Sequence, residues 1–441
     1  MSRRVVPEPE PEPESGSASA EALREIAAGS RTAAPGETFA GAELAGISLA
    51  GGALRRLDLA GANLARADLA GAACGGIGLA GACLEQADLS RADLTGADLG
   101  GVRGGQASFD FALLEDARLD GATLRFAHLE DAVLDGASMV EADLWGAVMS
   151  RATAERACLR GVRLDEVRAA DSDFTDCDLS GASLRRADLT GARLRRASLR
   201  DVRFDGATLR RADLGQAVLP FADLTTCDLT HVRLAGAWLE RTRMTASQLG
   251  GAVGEEVARD YRPAYDAYTA LELNFRSLGQ GDDESWAYRR RRRMGKLAHR
   301  AACGVALRTQ SAGWPGLGQV LRHGGMYLLD GFIEWLSDYG ESLTRVLRAC
   351  VAVLLVFAAL YWLTGALAPR ADIPASLHRG WAVQVLDYLL FSLNSMTTVG
   401  TGQVELRADS ELAVLLSSLE TVFGTVLIGL FGFVLGARMR R

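Results

Sequence analysis

The sequence predicts a multidomain protein in which a β-helical solenoid precedes a helical connector and an α-helical membrane domain. Three observations predict this order. One position in five is apolar from Phe39 to Leu249, and the phase of this period never changes. A helical period replaces it between Glu255 and Leu278. Beyond residue 345, two long apolar segments flank a third that is too short to cross a membrane and return.

Composition narrows the class of protein. A chain of 441 residues is too long for one ordinary domain, and its net charge of −7 does not indicate a nucleic-acid partner. The seven cysteines are scattered, with no CxxC or Cys/His spacing. This argues against a disulfide framework and a zinc site, and it fits a reducing compartment.

The N-terminus shows no signal peptide, because Arg3 and Arg4 are followed by a Pro-Glu run and not by an apolar stretch. Such a run is typical of solvated chain. The sequence therefore predicts a disordered tail over residues 1–36.

The five-residue period fits neither an α-helix nor a flat strand. Most of its apolar centres are leucine, and the residue two positions earlier is small, usually alanine. This pattern requires a backbone that turns a corner every five residues, with the centre and the small residue inside. Stacked coils then bury together the apolar face that no single coil can bury alone.

The run resembles the pentapeptide-repeat family, whose motif A(D/N)LXX occurs here as ANLAR from Ala62, ADLSR from Ala87 and ADLTG from Ala187. The resemblance implies a right-handed, four-sided β-helix over residues 37–250. An interior of leucine and alanine leaves no room for an active-site pocket. One centre is Gly104, where the sequence predicts loose packing between Leu84 and Leu124.

The exterior of this solenoid has acids and arginines in similar numbers, and the arginines are densest between Arg185 and Arg211. Two interpretations stay open. The charges either face solvent, or they bind a cytoplasmic protein, a ligand or anionic lipid. The mixed charge makes nucleic acid an unexpected partner.

Residues 251–310 are predicted to form a helical hairpin, broken at Gly279 and Gly281, with Asp282 as the N-cap of its second helix. Its basic cluster, Arg289 to Arg293, indicates either a rigid joint or a lever on the inner leaflet. Residues 311–344 are apolar but interrupted by charges, which predicts an interfacial helix.

Residues 345–441 are predicted to be a membrane domain. Ala349 to Pro369 contains no charge, and the span from Leu412 to Ala437 contains only Glu420. Tyr361 and Trp362 are expected at the far interface. Arginines flank the outer ends of both spans, which predicts a multi-pass cell-membrane protein with both termini in the cytoplasm.

Between the spans, Trp381 to Met396 has the pattern of a re-entrant helix and leads directly into Thr397-Thr-Val-Gly-Thr-Gly402. Non-helical backbone at membrane depth persists only where it is buried in protein or lines a water-filled path. Glycines at 400 and 402 allow successive carbonyls to face an axis, where they can replace the hydration shell of a cation.

This order of helix, re-entrant helix, TTVGTG and helix resembles the two-transmembrane potassium-channel pore. The resemblance implies a homotetramer, a permeant monovalent cation such as K⁺, and a selectivity filter of five residues: Thr398, Val399, Gly400, Thr401 and Gly402. Two positions depart from the family pattern. Thr401 replaces the usual tyrosine and Gln403 replaces a frequent acid, so strict potassium selectivity is not implied.

Three residues of the second span are candidates for gating or bracing. Glu420 either braces the re-entrant helix or faces the ion path. Gly424 and Gly429 serve either as a hinge or as close-packing positions.

The sequence thus predicts a cation channel subunit, with potassium as the expected ion, that its repeat domain gates or scaffolds. The alternative is a membrane-tethered interaction scaffold with a non-conducting, vestigial pore. No paired catalytic motif or phosphate-binding loop occurs, and the five histidines are dispersed, so neither an enzyme nor a cofactor is expected.

Overall fold

A computed structural model describes residues 15–32, 34, 37–308, 314–340, 342–369, 381–397, 404–406 and 411–439. The chain divides into two compact units, Met1–Met294 and Gly295–Arg441. The solenoid and most of the connector form the first unit, and the apolar helices form the second.

The first unit is built from coils of twenty residues. Parallel bridges join residues twenty positions apart, from Glu43↔Asn63 to Asp223↔Arg243. Each coil therefore contains four pentads, and the predicted four-sided β-helix is confirmed. Its hand stays a prediction.

The interior follows the five-residue period. Apolar centres such as Leu64 and Phe109 are fully buried, as are the alanines two positions earlier, for example Ala62 and Ala107. Amide groups at the centres donate to carbonyls of the next coil, as in Leu64 N to Cys83 O at 2.8 Å. The backbone polar groups are thus satisfied between coils, as burial requires.

Two residues after each centre the chain turns a corner in the left-handed region. Gly121 has a φ of 65° there, and Arg151 adopts 60° at the same repeat position. Because a Cβ atom disfavours this region, glycine is the frequent choice at the corner.

The loose packing predicted around Gly104 is wrong. A Cβ atom on Gly104 would lie 2.9 Å from the Cδ2 atom of Leu124. The side chain of Leu124 in the next coil thus fills the space that a side chain at position 104 would occupy, and the interior is closely packed there.

The disordered tail predicted over residues 1–36 is wrong for residues 15–27, which form helix α1 (Ser15–Ala27). Leu23 and Ile26 are buried, and the carbonyl of Ala27 accepts from Ala53 N at 3.0 Å. A solenoid needs a cover over its first coil, and α1 supplies it. The Pro-Glu run itself lies outside the described residues.

The last coil ends in a 3₁₀ turn, Ala246–Leu249, followed by α2 (Gly254–Val257), α3 (Tyr261–Leu278) and α4 (Gly281–Arg308). Side chains from this region bond to the last coil. Glu255 accepts from Leu234 N and Ala235 N, both at 2.7 Å. Asn274 bonds to both backbone groups of Thr242. These bonds replace those that a further coil would have made.

Some arginines of the basic cluster of α4 form ion pairs within the connector. Arg290 pairs with Glu256 at 2.7 Å, and Arg291 pairs with Glu272 at 2.8 Å. Arg289 and Arg293 are exposed. These internal pairs favour the rigid joint, and any lever on a lipid surface would depend on the exposed arginines.

The second unit consists of α5 (Trp314–Ser337), α6 (Leu343–Thr364), β1 (Leu367–Pro369), α7 (Trp381–Thr397), β2 (Val404–Leu406) and α8 (Glu411–Met439). Helices α6, α7 and α8 pack against one another. Two of these helices, at Leu343–Thr364 and Glu411–Gly436, are long and apolar enough to cross a membrane.

The first span was predicted to continue to Pro369, and this end is wrong. Helix α6 starts earlier, after the N-cap Ser342, and ends at Thr364 because Gly365 adopts a left-handed φ of 59° as the C-cap. The next residues form β1, which pairs antiparallel with β2 through Leu367↔Leu406 and Pro369↔Val404.

Candidate functional site

The five predicted filter residues, Thr398 to Gly402, lie outside the described residues, but the helix before them and the strand after them are described. Helix α7 ends at Thr397, and β2 begins at Val404. Because β2 pairs with β1, the chain leaves and rejoins the same edge of the second unit. Pro369 and Val404, which precede and follow helix α7 in the chain, are therefore adjacent.

Helix α7 is held by aromatic packing against its neighbouring helices. Tyr361 of α6 is fully buried and meets Phe391 of α7 edge to face, with ring centroids 5.2 Å apart. Phe357 and Ala413 belong to the same apolar cluster. The middle of α7 is thus anchored to both apolar helices of span length.

Glu420 lies at the centre of this three-helix contact and is completely buried. Its Oε2 atom accepts from the Tyr361 hydroxyl of α6 at 2.7 Å. Its Oε1 atom accepts from the Ser392 hydroxyl of α7. One carboxylate of α8 therefore binds both neighbouring helices, which is the geometry of the bracing role.

Further hydroxyl contacts continue this interface toward the end of α7. Thr421 Oγ1 donates to the Ser395 carbonyl at 3.3 Å, and the hydroxyls of Ser395 and Ser417 lie 3.3 Å apart. Small polar side chains allow two helices to approach closely and to bond within an apolar layer.

Gly424 lies at the closest approach of α8 to α7. A Cβ atom at this position would lie 2.2 Å from the carbonyl oxygen of Met396, one residue before α7 ends. Gly429 differs, since a Cβ atom there would meet nothing within 4 Å. The geometry supports a packing role for Gly424. Gly429 has no close contact, so a hinge at Gly429 stays a prediction.

Gly424→Ala is expected to destabilise the second unit by about 2 kcal/mol, because the clash is with backbone and cannot be relieved by a rotamer change. Gly429→Ala is the matched control, and it should be neutral or stabilising because alanine favours a helix. Thermal unfolding of both purified variants measures the difference. Equal unfolding temperatures would contradict the packing role.

Two hydrogen-bond partners of Glu420, Tyr361 and Ser392, were not predicted from the sequence. Tyr361 was expected at the far interface with Trp362, but only Trp362 is exposed, whereas Tyr361 is buried. Ser392 was not singled out. The available signal was an acid in one apolar span opposite a phenol in another, since a buried carboxylate needs donors.

The arginine-rich face of the solenoid is largely paired with acids of neighbouring coils. Arg185 pairs with Asp205 at 3.0 Å, and Arg196 pairs with Asp176 at 2.6 Å. Arg193 pairs in the same way with Asp173. These pairs favour the interpretation of solvent-facing charge.

Metal and thiol chemistry has little support in the part of the chain that the structure describes. Across those residues, no group of three or more His, Cys, Asp or Glu side chains could hold a metal ion. None of the seven cysteines, all in described parts of the chain, forms a disulfide bond, and burial raises the pKa of Cys74, Cys177 and Cys227 to about 12. These three thiols are therefore neutral over the working pH range.

Comparison with known proteins identifies the repeat domain. A model described as "Pentapeptide repeats" matches eight copies, over residues 79–103, 105–139, 127–165, 172–211 and 207–245. Among curated proteins, none matches the chain.

Several solved structures are similar to the repeat region. HetL, a pentapeptide repeat protein involved in heterocyst differentiation regulation from the cyanobacterium Nostoc sp. strain PCC 7120, is 33% identical, with 43% of this chain and 85% of HetL covered and a TM-score of 0.42. The Nostoc protein alr5209 is 30% identical, with 22% and 69% covered and a TM-score of 0.13.

A third structure is more distant. QnrB1, a plasmid-mediated fluoroquinolone resistance protein, is 17% identical, with 47% of this chain and 95% of QnrB1 covered and a TM-score of 0.25. The relationship of this chain to pentapeptide-repeat proteins is established by the matched repeats and by the sequence identities to HetL and alr5209. The TM-scores do not contribute to it. Through the domain that contains these repeats, the chain belongs to the pentapeptide-repeat family.

Proposed function

We propose that this protein is a subunit of a homotetrameric cation channel whose carbonyl-lined filter is formed by Thr398, Val399, Gly400, Thr401 and Gly402. The observation that supports this most is the position of α7. This apolar helix of 17 residues packs between two helices of span length and ends immediately before the TVGTG segment. K⁺ is the proposed permeant ion, and no cofactor or catalytic activity is part of the proposal.

The proposed topology has both termini in the cytoplasm of a multi-pass cell-membrane protein. Arg345 and Arg348 at the start of α6 support it, together with the arginines that follow α8. The repeat domain then lies in the cytoplasm, where it gates or scaffolds the pore and binds a protein or ligand.

A membrane-tethered scaffold with a vestigial pore is the second candidate. Thr401 favours it, because it replaces the tyrosine that braces the filter in the family that this segment resembles. The size of the pentapeptide-repeat domain favours it as well.

Planar-bilayer recording of the purified full-length protein tests the proposal. In symmetric KCl we expect discrete single-channel currents, and replacement of K⁺ by Na⁺ on one side should shift the reversal potential. Equal permeability of the two ions would refute potassium selectivity. The absence of any cation current, at every voltage and ionic composition, would favour the scaffold.

A further inference from the structure

Two histidines of the second unit meet where α4 contacts α5. His299 of α4 and His323 of α5 lie with their Nδ1 atoms 3.2 Å apart, and their ring planes are inclined by 35°. This separation is within the range of a hydrogen bond. Both rings are partly buried. Nothing in the proposed channel function uses this pair.

The same contact contains the only lysine of the chain. Lys296, about one turn before His299, pairs with Glu334 of α5 at 2.8 Å. Its Nζ atom also lies 5.4 Å from the ring centroid of Tyr327. His323, Tyr327 and Glu334 follow one another along α5 at steps of four and seven residues, so they share one face of that helix. Three polar side chains of one face of α5 therefore meet two of α4.

The histidine pair needs one imidazole that donates and one that accepts. A ring nitrogen accepts only when it has no proton. The bond therefore survives while at least one ring is neutral, and it is lost when both rings are imidazolium. Histidine is the side chain whose charge changes between about pH 8 and about pH 5. Acidic solution should thus break this bond between the helices.

Charge repulsion adds to the lost bond. Two imidazolium rings at this distance repel each other, and the solvent screens them only in part because both are partly buried. Cations outnumber acids among the charged and titratable groups around the pair. These groups are Arg292, Arg293, Lys296, Arg300 and Cys303 of α4, Arg322, Tyr327, Asp330 and Glu334 of α5, and Arg345 of α6, whose guanidinium donates to the Glu334 carbonyl.

We propose that His299 and His323 form a proton-sensitive latch, which holds α4 to α5 while one ring is neutral and releases it when both rings are charged. Helix α4 begins at Gly281 in the connector, and α5 packs against α6, the first helix of span length. Release frees the last turns of α4 from the other helices of the second unit. The latch does not depend on conduction, so its test is separate from that of the channel.

The only lysine provides the readout. In the closed latch the ammonium of Lys296 is paired with Glu334, and its side chain is 20% exposed. The full-length protein is reductively methylated with formaldehyde at pH 8 and at pH 5, and mass spectrometry gives the rate at Lys296. This rate is divided by that of Nα-acetyl-lysine methylamide in the same tube, which removes the intrinsic pH dependence of an amine.

We expect the relative rate at Lys296 to increase about fivefold from pH 8 to pH 5, as the loss of one hydrogen bond predicts. The sign follows from proton binding. The open state binds more protons than the closed state in acid, so the stability of the contact is present at pH 8 and decreases toward pH 5. A relative rate that does not change between the two pH values would overturn the proposal.

His323→Asn tests whether the histidine pair is the cause. An asparagine side chain has both a donor and an acceptor, so it can bond to His299 in either protonation state, and only one positive charge can form. The relative rate should then stay nearly constant. Asp330 and Glu334 still titrate in this variant, so the difference between the two proteins isolates the pair. A variant that responds to pH as the unmodified protein does would refute the latch.

His128→Asn is the matched control, because His128 is an exposed histidine of the repeat domain. It should keep the full response of Lys296 to pH. His299→Asn is the reciprocal variant and should lose the response as His323→Asn does. If only one of the two substitutions abolished it, a single titrating histidine would explain the data and the pair would be rejected.

Thermal unfolding provides a measurement that does not involve Lys296. Between pH 8 and pH 5, the unfolding temperature of the second unit should decrease by about 3 °C more in the unmodified protein than in His323→Asn. Circular dichroism at pH 8 confirms that both proteins are folded before heating. Equal decreases in the two proteins would contradict the latch.

Discussion

Gly400→Asp, or Gly402→Asp, is expected to abolish cation current in the bilayer completely. Each substitution adds a side chain and a negative charge where the proposed filter requires only main-chain oxygens. The repeat domain should keep its unfolding temperature, because its leucine and alanine interior is separate from the second unit. Single-channel recording and circular dichroism of the same preparation measure both effects.

Gly121→Asp is the matched control. Gly121 lies at a corner with a φ of 65° and has open space around its Cα atom. Asp131 already occupies the equivalent corner ten residues later, with a φ of 56°. This variant adds the same charge and should conduct normally. Wild-type conductance in Gly400→Asp would disprove the filter assignment, and loss of current in the control would make the result non-specific.

Glu420→Ala is expected to give the second largest effect. It removes the acceptor of two buried hydroxyls, those of Tyr361 and Ser392, and leaves a cavity between three helices. The Ser392 hydroxyl still has the Leu354 carbonyl as an acceptor at 3.0 Å. A cost of about 3 kcal/mol is expected from the lost acceptor of the Tyr361 hydroxyl and the lost packing. The second unit should unfold at a lower temperature, and current should decrease because α7 loses its fixed position before the filter.

Glu420→Gln separates the two roles of this residue. If Glu420 only braces α7, an amide can largely substitute for its carboxylate, because glutamine keeps the volume and one acceptor. Stability and ion selectivity should then both be nearly retained. A carboxylate that faces the ion path would instead change conductance sharply on loss of its charge. Glu411→Ala, at the exposed first residue of α8, serves as the stability control. If it destabilises the protein as much as Glu420→Ala does, the brace is refuted.

The solenoid could be predicted from the sequence because its period is local. Each centre, such as Leu64, is followed by a corner two residues later, and the same five positions repeat without a shift. The conformation of one pentad therefore determines that of the next. The apolar helices could be predicted for a similar reason, since length and lack of charge are properties of one segment.

The contacts of Glu420 could not be predicted in the same way. Tyr361 is 59 positions away and Ser392 is 28, and no periodic pattern relates them. Glu255 was missed because its role depends on where the last coil ends in space. Helix α1 was missed because its alanine and serine residues resemble those of a solvated tail, and the residues that bury it, Leu23 and Ile26, are few.

The coverage of both terminal coils has a consequence for how copies of the chain can associate. A stack of strands with open ends would recruit further strands and grow into fibres. Here Ala27 bonds to the first coils, and Glu255 and Asn274 occupy amides of the last. Filament growth by end-to-end strand addition is thereby blocked, and self-association is restricted to other surfaces, where its stoichiometry can be finite.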